Sequence, residues 1–413
     1  MKRLFSLIII VGLLLSGCTP ALNDVSGKIK VEIWHTWNVE EGGTEHELKV
    51  IVDEYNALHD DIEVVLVSQP SSGFANKVYT SAANGVGPDI YFIFANTLPE
   101  YVNANLLADM GKYMDIAELK SRISATQFEE CTGFEDGRLH IVPIQSTVSV
   151  VFYNQSIYEE LNLSAPRTWE DVEKNARIIY EAKGIPGFAV DSYVDLGQSL
   201  FGQVGAEYID AKSRSIGFNT PECASLLEWY SSCVSEGIFT ATFESGSIDQ
   251  EFNAGLLGSF MGTCSYEPYI IPNGFDYGVA PVPGNGNSNW TPLFSRGACV
   301  LASDEKTEQA ACDFLTFFTD AEHSARWAMA IGALSPYSDA ALNPDYVKNV
   351  NNSKVLQAAV VSMKEAHTTA AVMGAQTVRN EMKEAFLQVI GKGKTAEEAL
   401  LNAEKNSNAA LNP

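Results

Sequence analysis

Basic residues are scarce in this chain. Lys and Arg number 27 against 52 Asp and Glu in 413 residues, a formal charge of −25. That balance argues against nucleic acid as a partner, because a phosphate backbone needs a basic surface. A small anionic ligand is disfavoured much less, since exposed charges are screened within ~8 Å at physiological salt. No CxxC occurs, and no Cys/His set has zinc spacing. A GxSxG elbow and a complete GxGxxG are missing too. Beyond residue 15 no run approaches the ~20 apolar residues that a membrane-spanning helix needs. Apolar residues at 46% and charged residues at 19% make a globular balance and exclude collagen, coiled-coil and disulfide-scaffold classes.

Two near-motifs fail on spacing. Gly391-Lys392-Gly393-Lys394-Thr395 looks like the end of a phosphate loop, but Gln388 stands where the first Gly must be and a helix precedes it instead of a strand. His46-Glu47-Leu48-Lys49-Val50 starts like a zinc-protease helix but has Val50 in place of the second His. No cofactor and no metal are expected. A pair of carboxylates could serve a glycosidase, but most acids in so acidic a chain form a solvated face.

The N-terminus carries an address. Met1-Lys2-Arg3 precedes a mostly apolar run from Leu4 to Leu15, too short for a membrane span and suited to an export signal. Leu15-Ser16-Gly17-Cys18 resembles the bacterial lipobox, in which cleavage falls before the Cys and the Cys is lipidated. Residues 1–17 are therefore expected to be a signal peptide, and 18–27 a lipidated Cys18 with a flexible leash. Firm anchoring takes two or more acyl chains, at ~0.8 kcal/mol per buried CH₂. The expected location is the extracytoplasmic face of a bacterial cell membrane. Of the six remaining cysteines, Cys223 and Cys233 are ten apart in one expected helix. The ~15 Å between them exceeds disulfide reach. Isolated buried thiols are expected.

A length beyond the ~250–300 residues of a single core predicts two lobes. Strand patterns at Ile29–Trp34, Ile62–Val67 and Pro88–Ile93 alternate with helix patterns. The first helix follows a Thr44-x-x-Glu47 capping box and the second covers Phe74 to Asn84, giving βαβαβ. Ile62–Val67 reads as a strand buried on both faces. Val148–Tyr153 opens a second unit, and Thr168 caps a helix that runs to Lys183 and stops at Gly184. Further helices are expected at Glu222–Glu236, Glu305–Thr319, Ala321–Ile331, Met382–Ile390 and from Thr395 to near Asn408. Pro281–Asn287 is expected to be a surface loop.

Seven segments in order resemble the carbohydrate-type (family 1) extracellular solute-binding proteins that feed ATP-driven importers. They are Val31–Trp37, Asn84–Ile90, Phe152-Tyr153-Asn154, Pro166–Trp169, Gly278–Gly284, Gly332–Pro336 and Thr395–Leu400. From Trp327 onward the chain is most similar to the glycerol-3-phosphate-binding branch. The resemblance implies an α/β, two-lobe, periplasmic-binding-protein-like fold with three interlobe crossings and a cleft between the lobes. The crossings are expected near Pro143–Thr147, Ala280–Pro283 and Gly332–Ser335. One lobe would then comprise 28–143 plus 281–332, the other 144–280 plus 333–413. Such a protein closes on its ligand like a hinged clamp, and permease subunits of the importer recognise the closed state.

Trp34 and Trp37 stand just past the end of the first strand, where open α/β sheets hold ligands, and aromatic faces suit the C–H side of a sugar ring. His35 between them reads as a structural histidine. The resemblance adds Asn96, Ser146, Thr147, Ser192, Tyr193, Ser265, Tyr266, Arg296, Gly297 and Arg379 as ligand-binding positions. The glycerol-3-phosphate branch carries Trp in the segment matching Asp191–Asp195, a Tyr at Ala333 and a Glu at Ala95. Those departures favour a neutral mono- or oligosaccharide. The expected protein is a monomeric, lipid-anchored, non-enzymatic sugar-binding component of an ABC importer. The alternatives are a glycerol-3-phosphate or glycerophosphodiester binder and an exported carbohydrate-active enzyme.

Overall fold

The computed structural model describes residues 27–43, 45–70, 72–240 and 248–413. The export signal, Cys18, most of the leash and Thr44 of the expected capping box lie outside them. Nine strands are formed by the described residues: β1 (Ile29–His35), β2 (Ile62–Ser68), β3 (Ile90–Phe94), β4 (Val142–Asn154), β5 (Ala189–Val190), β6 (Ser259–Thr263), β7 (Tyr277–Pro281), β8 (Thr291–Val300) and β9 (Ala366–His367). They join in the order β2-β1-β3-β8-β4-β6-β5, with β7 also on β4 and β9 on β8.

β1 lies parallel to both β2 and β3, completing the βαβαβ unit. Helix His46–Leu58 covers it with Leu48, Ile51, Val52 and Tyr55. Glu45 occupies its cap position without a side-chain cap bond. β2 departs from expectation. It is the outer strand of the sheet, so only Ile62 and Val64 are buried and the remainder faces partly outward. In the second lobe, Thr168 and Asp171 form a reciprocal capping box, and Gly184 ends the helix Trp169–Lys183 in the left-handed conformation. Gly393 ends helix Ala375–Lys392 in the same way, which accounts for the glycine-lysine run as a helix terminus.

The core divides into three clusters. Val31, Ile33, Ile90, Val142 and Trp327 belong to the first, which fills one lobe. Val151, Phe188, Tyr193, Phe201 and Phe386 lie in the second, and Val148, Val150, Phe152, Phe260 and Val355 in the third. The strand period explains that split. Successive side chains of β4 point to opposite faces, so both faces of the second lobe's sheet are covered. Each fully buried large apolar side chain there contributes roughly 1.5–3 kcal/mol.

β4 enters the second lobe after a register shift between Pro143 and Gln145. Such bulges bend a strand. The return differs from the expected crossing at Ala280–Pro283. β7 pairs with β4 inside the second lobe, and Val282 packs in that lobe's core. Trp290 stacks on His367, with centroids 5.2 Å apart and planes 5° from parallel. Leu293 still belongs to the third cluster and Ala298 to the first, so β8 itself makes the return. The segment from 281 to 290 therefore sits with the second lobe instead of the first. Its Val282, Pro283 and Gly284 are buried, and the Asn285–Asn287 tip and Asn289 are exposed. Near the third expected crossing, Ala333 packs in the first cluster and Leu334 in the third. Tyr337 then returns to the first before Val355 settles in the third.

The six cysteines after Cys18 are free and buried. Among the described residues no helix is long and apolar enough to cross a membrane.

Candidate functional site

The parallel strands β1 and β3 end side by side, and their continuations open a cavity of about 460 Å³. Trp34, Trp37 and Asn96 line it from the first lobe and Arg296 from β8. Phe74, Tyr79, Tyr91, Phe94 and Tyr101 add an aromatic wall, with Phe74 edge-on to Tyr91 at 5.6 Å and Tyr79 edge-on to Tyr101 at 5.1 Å. The second lobe closes the other side with Val372 to Gln376. Gly374 packs that segment onto the C-terminal helix: its φ is +87°, and a Cβ would stand 2.3 Å from the Ala410 carbonyl oxygen.

An adjoining hollow of about 340 Å³ shares Trp37, Phe94 and Arg296 with the first. Its remaining lining includes the polar side chains Glu45, Gln145, Thr147, Asp195, Ser265 and Arg379, beside the apolar Phe294, Trp327 and Ile331. One compartment is thus largely aromatic and the other hydroxyl- and charge-bearing.

Trp37 is held by its neighbours. It stacks on Phe92 at 4.9 Å and tilts against Trp327 at 5.4 Å. The Arg296 guanidinium lies 5.3 Å from the Trp37 ring and 5.0 Å from that of Phe94. Burial holds the Arg296 pKa below its ordinary value, and its Nε has no hydrogen-bond partner among the described residues. The Asn96 Oδ1 is likewise buried and unpartnered. In the second lobe, Arg379 Nη1 stands 3.7 Å from Asp195 Oδ1. Burial raises the Asp195 carboxyl against the opposing pull of Arg379. Asp191 beside it is raised further, by burial first and by the Asp195 charge second. His35 is buried, with its pKa lowered by burial, and forms part of the wall.

Seven expected positions therefore meet at these hollows: Trp34, Trp37, Asn96, Thr147, Ser265, Arg296 and Arg379. Five do not. Ser146 is fully buried and accepts a 2.6 Å hydrogen bond from Gln127 Nε2. Ser192 caps a helix, its Oγ accepting from the Asp195 backbone N–H at 3.2 Å. Tyr193 stacks on Phe386 in the core at 5.3 Å. Tyr266 packs edge-on to Phe260 at 5.6 Å. Gly297 lies between β3 and β4, where a Cβ would stand 2.3 Å from Ile141 Cγ1 and 2.7 Å from the Val142 carbonyl oxygen. For these five, the hydroxyl, ring or missing side chain is used by the fold.

Sequence reasoning did not single out Asp195, Phe94 or the aromatic wall. Phe94 carried a signal, since it is an aromatic residue at the end of the apolar run Ile90–Phe94, and the structure leaves it exposed there. The wall carried none, because its members come from separate elements. Among the described residues no three His, Cys, Asp or Glu side chains converge on a metal-binding geometry.

Two lobes linked by long shared strands, with a partly aromatic and partly hydroxyl-lined cleft between them, define a hinged small-solute-binding protein. The chain belongs to the bacterial extracellular solute-binding proteins, whose family model matches residues 50–354. A maltotriose-binding protein of Pyrococcus abyssi is 24% identical over 339 residues, covering 78% of this chain and 70% of that one. A multiple sugar-binding protein of Streptococcus mutans is 22% identical over 373 residues, 84% of this chain and 83% of its own. The sn-glycerol-3-phosphate-binding protein UgpB of Brucella melitensis is 20% identical over 301 residues, 67% and 68% of the two chains. Among solved structures, the cyclic alpha-maltosyl-1,6-maltose binding protein of Arthrobacter globiformis has the same fold. Its TM-score is 0.80 at 24% identity, over 93% of this chain and 99% of that one.

Proposed function

We propose that this protein is the lipid-anchored, substrate-binding component of an ABC importer. It captures a neutral oligosaccharide by closing its two lobes and presents the closed form to the permease. The observation that carries the reading is the paired compartment around Trp37. One side offers ring faces that remove the apolar C–H surface of a sugar from water. The other offers donors and acceptors for its hydroxyls. Relatives named for maltotriose and for multiple sugars support the carbohydrate class. Trp34, Trp37, Asn96, Thr147, Ser265, Arg296 and Arg379 are the proposed contacts. The ligand undergoes no bond cleavage in this role.

A thermal-shift screen of a soluble chain beginning at Thr19 tests the ligand class, using neutral maltooligosaccharides, sn-glycerol-3-phosphate and glycerophosphodiesters. A ligand at 100 times its Kd adds ~2.7 kcal/mol, which moves the melting transition visibly. A shift with neutral sugars alone is expected. A shift with phosphates alone would transfer the assignment to the glycerol-3-phosphate class, and turnover of a glycoside would overturn the binding-protein role. The anchor has its own test. Cys18→Ser should release the protein from membranes, and persistent membrane association of that variant would remove the lipid from the account.

A further inference from the structure

We infer that Asp195 sets the charge specificity of the cleft: held against Arg379, it makes that guanidinium a partner for hydroxyl groups and withholds it from anions. The inference rests on the carbohydrate reading above and adds to it the residue that excludes anions.

Three features of the polar compartment carry it. First, the pair is asymmetric. The Asp195 side chain is 7% exposed and Arg379 is 36% exposed, so the carboxylate is fixed in the wall while the cation reaches the opening. The local chain holds Asp195 in place. Its N–H donates to Ser192 Oγ at 3.2 Å, and its carbonyl accepts from Ser199 Oγ at 2.8 Å. Second, the 3.7 Å separation is an ion pair without a direct hydrogen bond, and Asp195 Oδ1 has no hydrogen-bond partner among the described residues. A buried carboxylate oxygen without a donor is costly unless something supplies one. A ligand hydroxyl can donate to that oxygen and accept from one of the five guanidinium N–H groups. A phosphate-ester group in its dianionic form, which dominates above its second pKa of ~6, can only accept. Third, the fixed charges of the compartment cancel, with Glu45 and Asp195 set against Arg296 and Arg379. Asp191 stands behind, its carboxyl raised well above the usual range by burial and by the Asp195 charge. An entering dianion would face Asp195 in a poorly solvated wall, where like charges repel most strongly.

The experiment compares the wild-type chain from Thr19 onward with Asp195→Asn and with the double variant Asp195→Asn, Arg379→Gln. Each is titrated calorimetrically with sn-glycerol-3-phosphate above the second phosphate pKa of ~6, then with maltotriose. Melting curves in the absence of ligand establish that each variant is folded. Wild type should show no phosphate-ester binding at millimolar concentration. Asp195→Asn should gain at least tenfold in phosphate-ester affinity, a gain that fades with added salt and disappears in the double variant. Glycerol-3-phosphate binding by wild type as tight as by a folded Asp195→Asn variant would overturn the inference, as would a folded variant that gains nothing. If Asp195→Asn fails to fold, Asp195→Ser is the second variant and is held to the same outcomes. The phosphate arms contain no sugar. Loss of the carbohydrate reading would appear in the maltotriose arm alone and is distinguishable from failure here.

Discussion

The Arg296 guanidinium lies 5.3 Å from the centre of the Trp37 ring, and this pair forms the seam between the aromatic and the polar halves of the cleft. Trp37 is already packed on Phe92 and Trp327, so the orientation of its ring is fixed by the fold. Preorganised contacts of this kind give up less entropy on association.

Trp37→Ala is therefore expected to lower affinity for a neutral oligosaccharide by more than tenfold. Stability should also fall, by about 1–3 kcal/mol, because the ring supports Phe92 and Trp327. Calorimetric titration together with urea unfolding separates the two effects. Unchanged affinity in the variant would place the ligand away from this seam.

Ser146 and Thr147 are sequence neighbours with opposite expected roles. Ser146→Ala leaves the buried Gln127 Nε2 without its acceptor, which costs about 1–3 kcal/mol of stability. Ligand affinity should stay within threefold of wild type. Thr147→Val should show the reverse, with weaker binding and a smaller change in stability. Equal affinity losses in both variants would return Ser146 to the site.

Gly297→Ala is expected to destabilise the chain by roughly 1–3 kcal/mol, since the new Cβ collides with Ile141 and with the backbone of β4. The measurement is the midpoint of chemical unfolding. A variant of wild-type stability that binds ligand poorly would restore Gly297 as a position of close ligand approach.

His323 gives stability a pH dependence. Burial opposes its charged form, but the Asp320 carboxylate, 2.8 Å from Nδ1, outweighs burial, and Glu54 adds its charge from 3.3 Å. The folded-state pKa is thus raised above the ordinary value of ~6.5. The contribution is fully present below that value and is lost as pH rises through the folded-state pKa. Melting temperature should fall across that window in wild type, and the fall should shrink in His323→Gln. An identical pH profile in the two proteins would contradict the assignment.

The sequence was most legible where local chemistry decides structure. The capping residues Thr168 and Asp171, the stop at Gly184 and the alternation in β1 each depend on neighbours a few positions away. β2 misled because its apolar run is broken only by Glu63, whereas its burial depends on where the strand lies in the sheet. The return crossing misled because Pro281–Asn287 has loop composition, yet Val282 and Trp290 are held by residues far along the chain. For the site, strand ends predicted Trp34 and Trp37, which depend on sheet topology alone. Ser146, Ser192 and Tyr193 could not be sorted from Thr147 and Ser265 by residue type. Ser146 and Tyr193 are set apart by partners remote in sequence, Gln127 and Phe386, and Ser192 by its cap bond from the Asp195 N–H. Asp195 lies in a segment noted for Ser192, Tyr193 and a missing Trp, and its relation to Arg379 spans 184 positions of sequence.

The most direct test of the central claim is an equilibrium titration of the chain from Thr19 onward with a maltooligosaccharide series, followed by calorimetry and tryptophan fluorescence. The account predicts one ligand per chain and a fluorescence change that reports Trp37 and Trp34, with both signals lost in Trp37→Ala. Saturable binding of sn-glycerol-3-phosphate with none of the neutral sugars would contradict it.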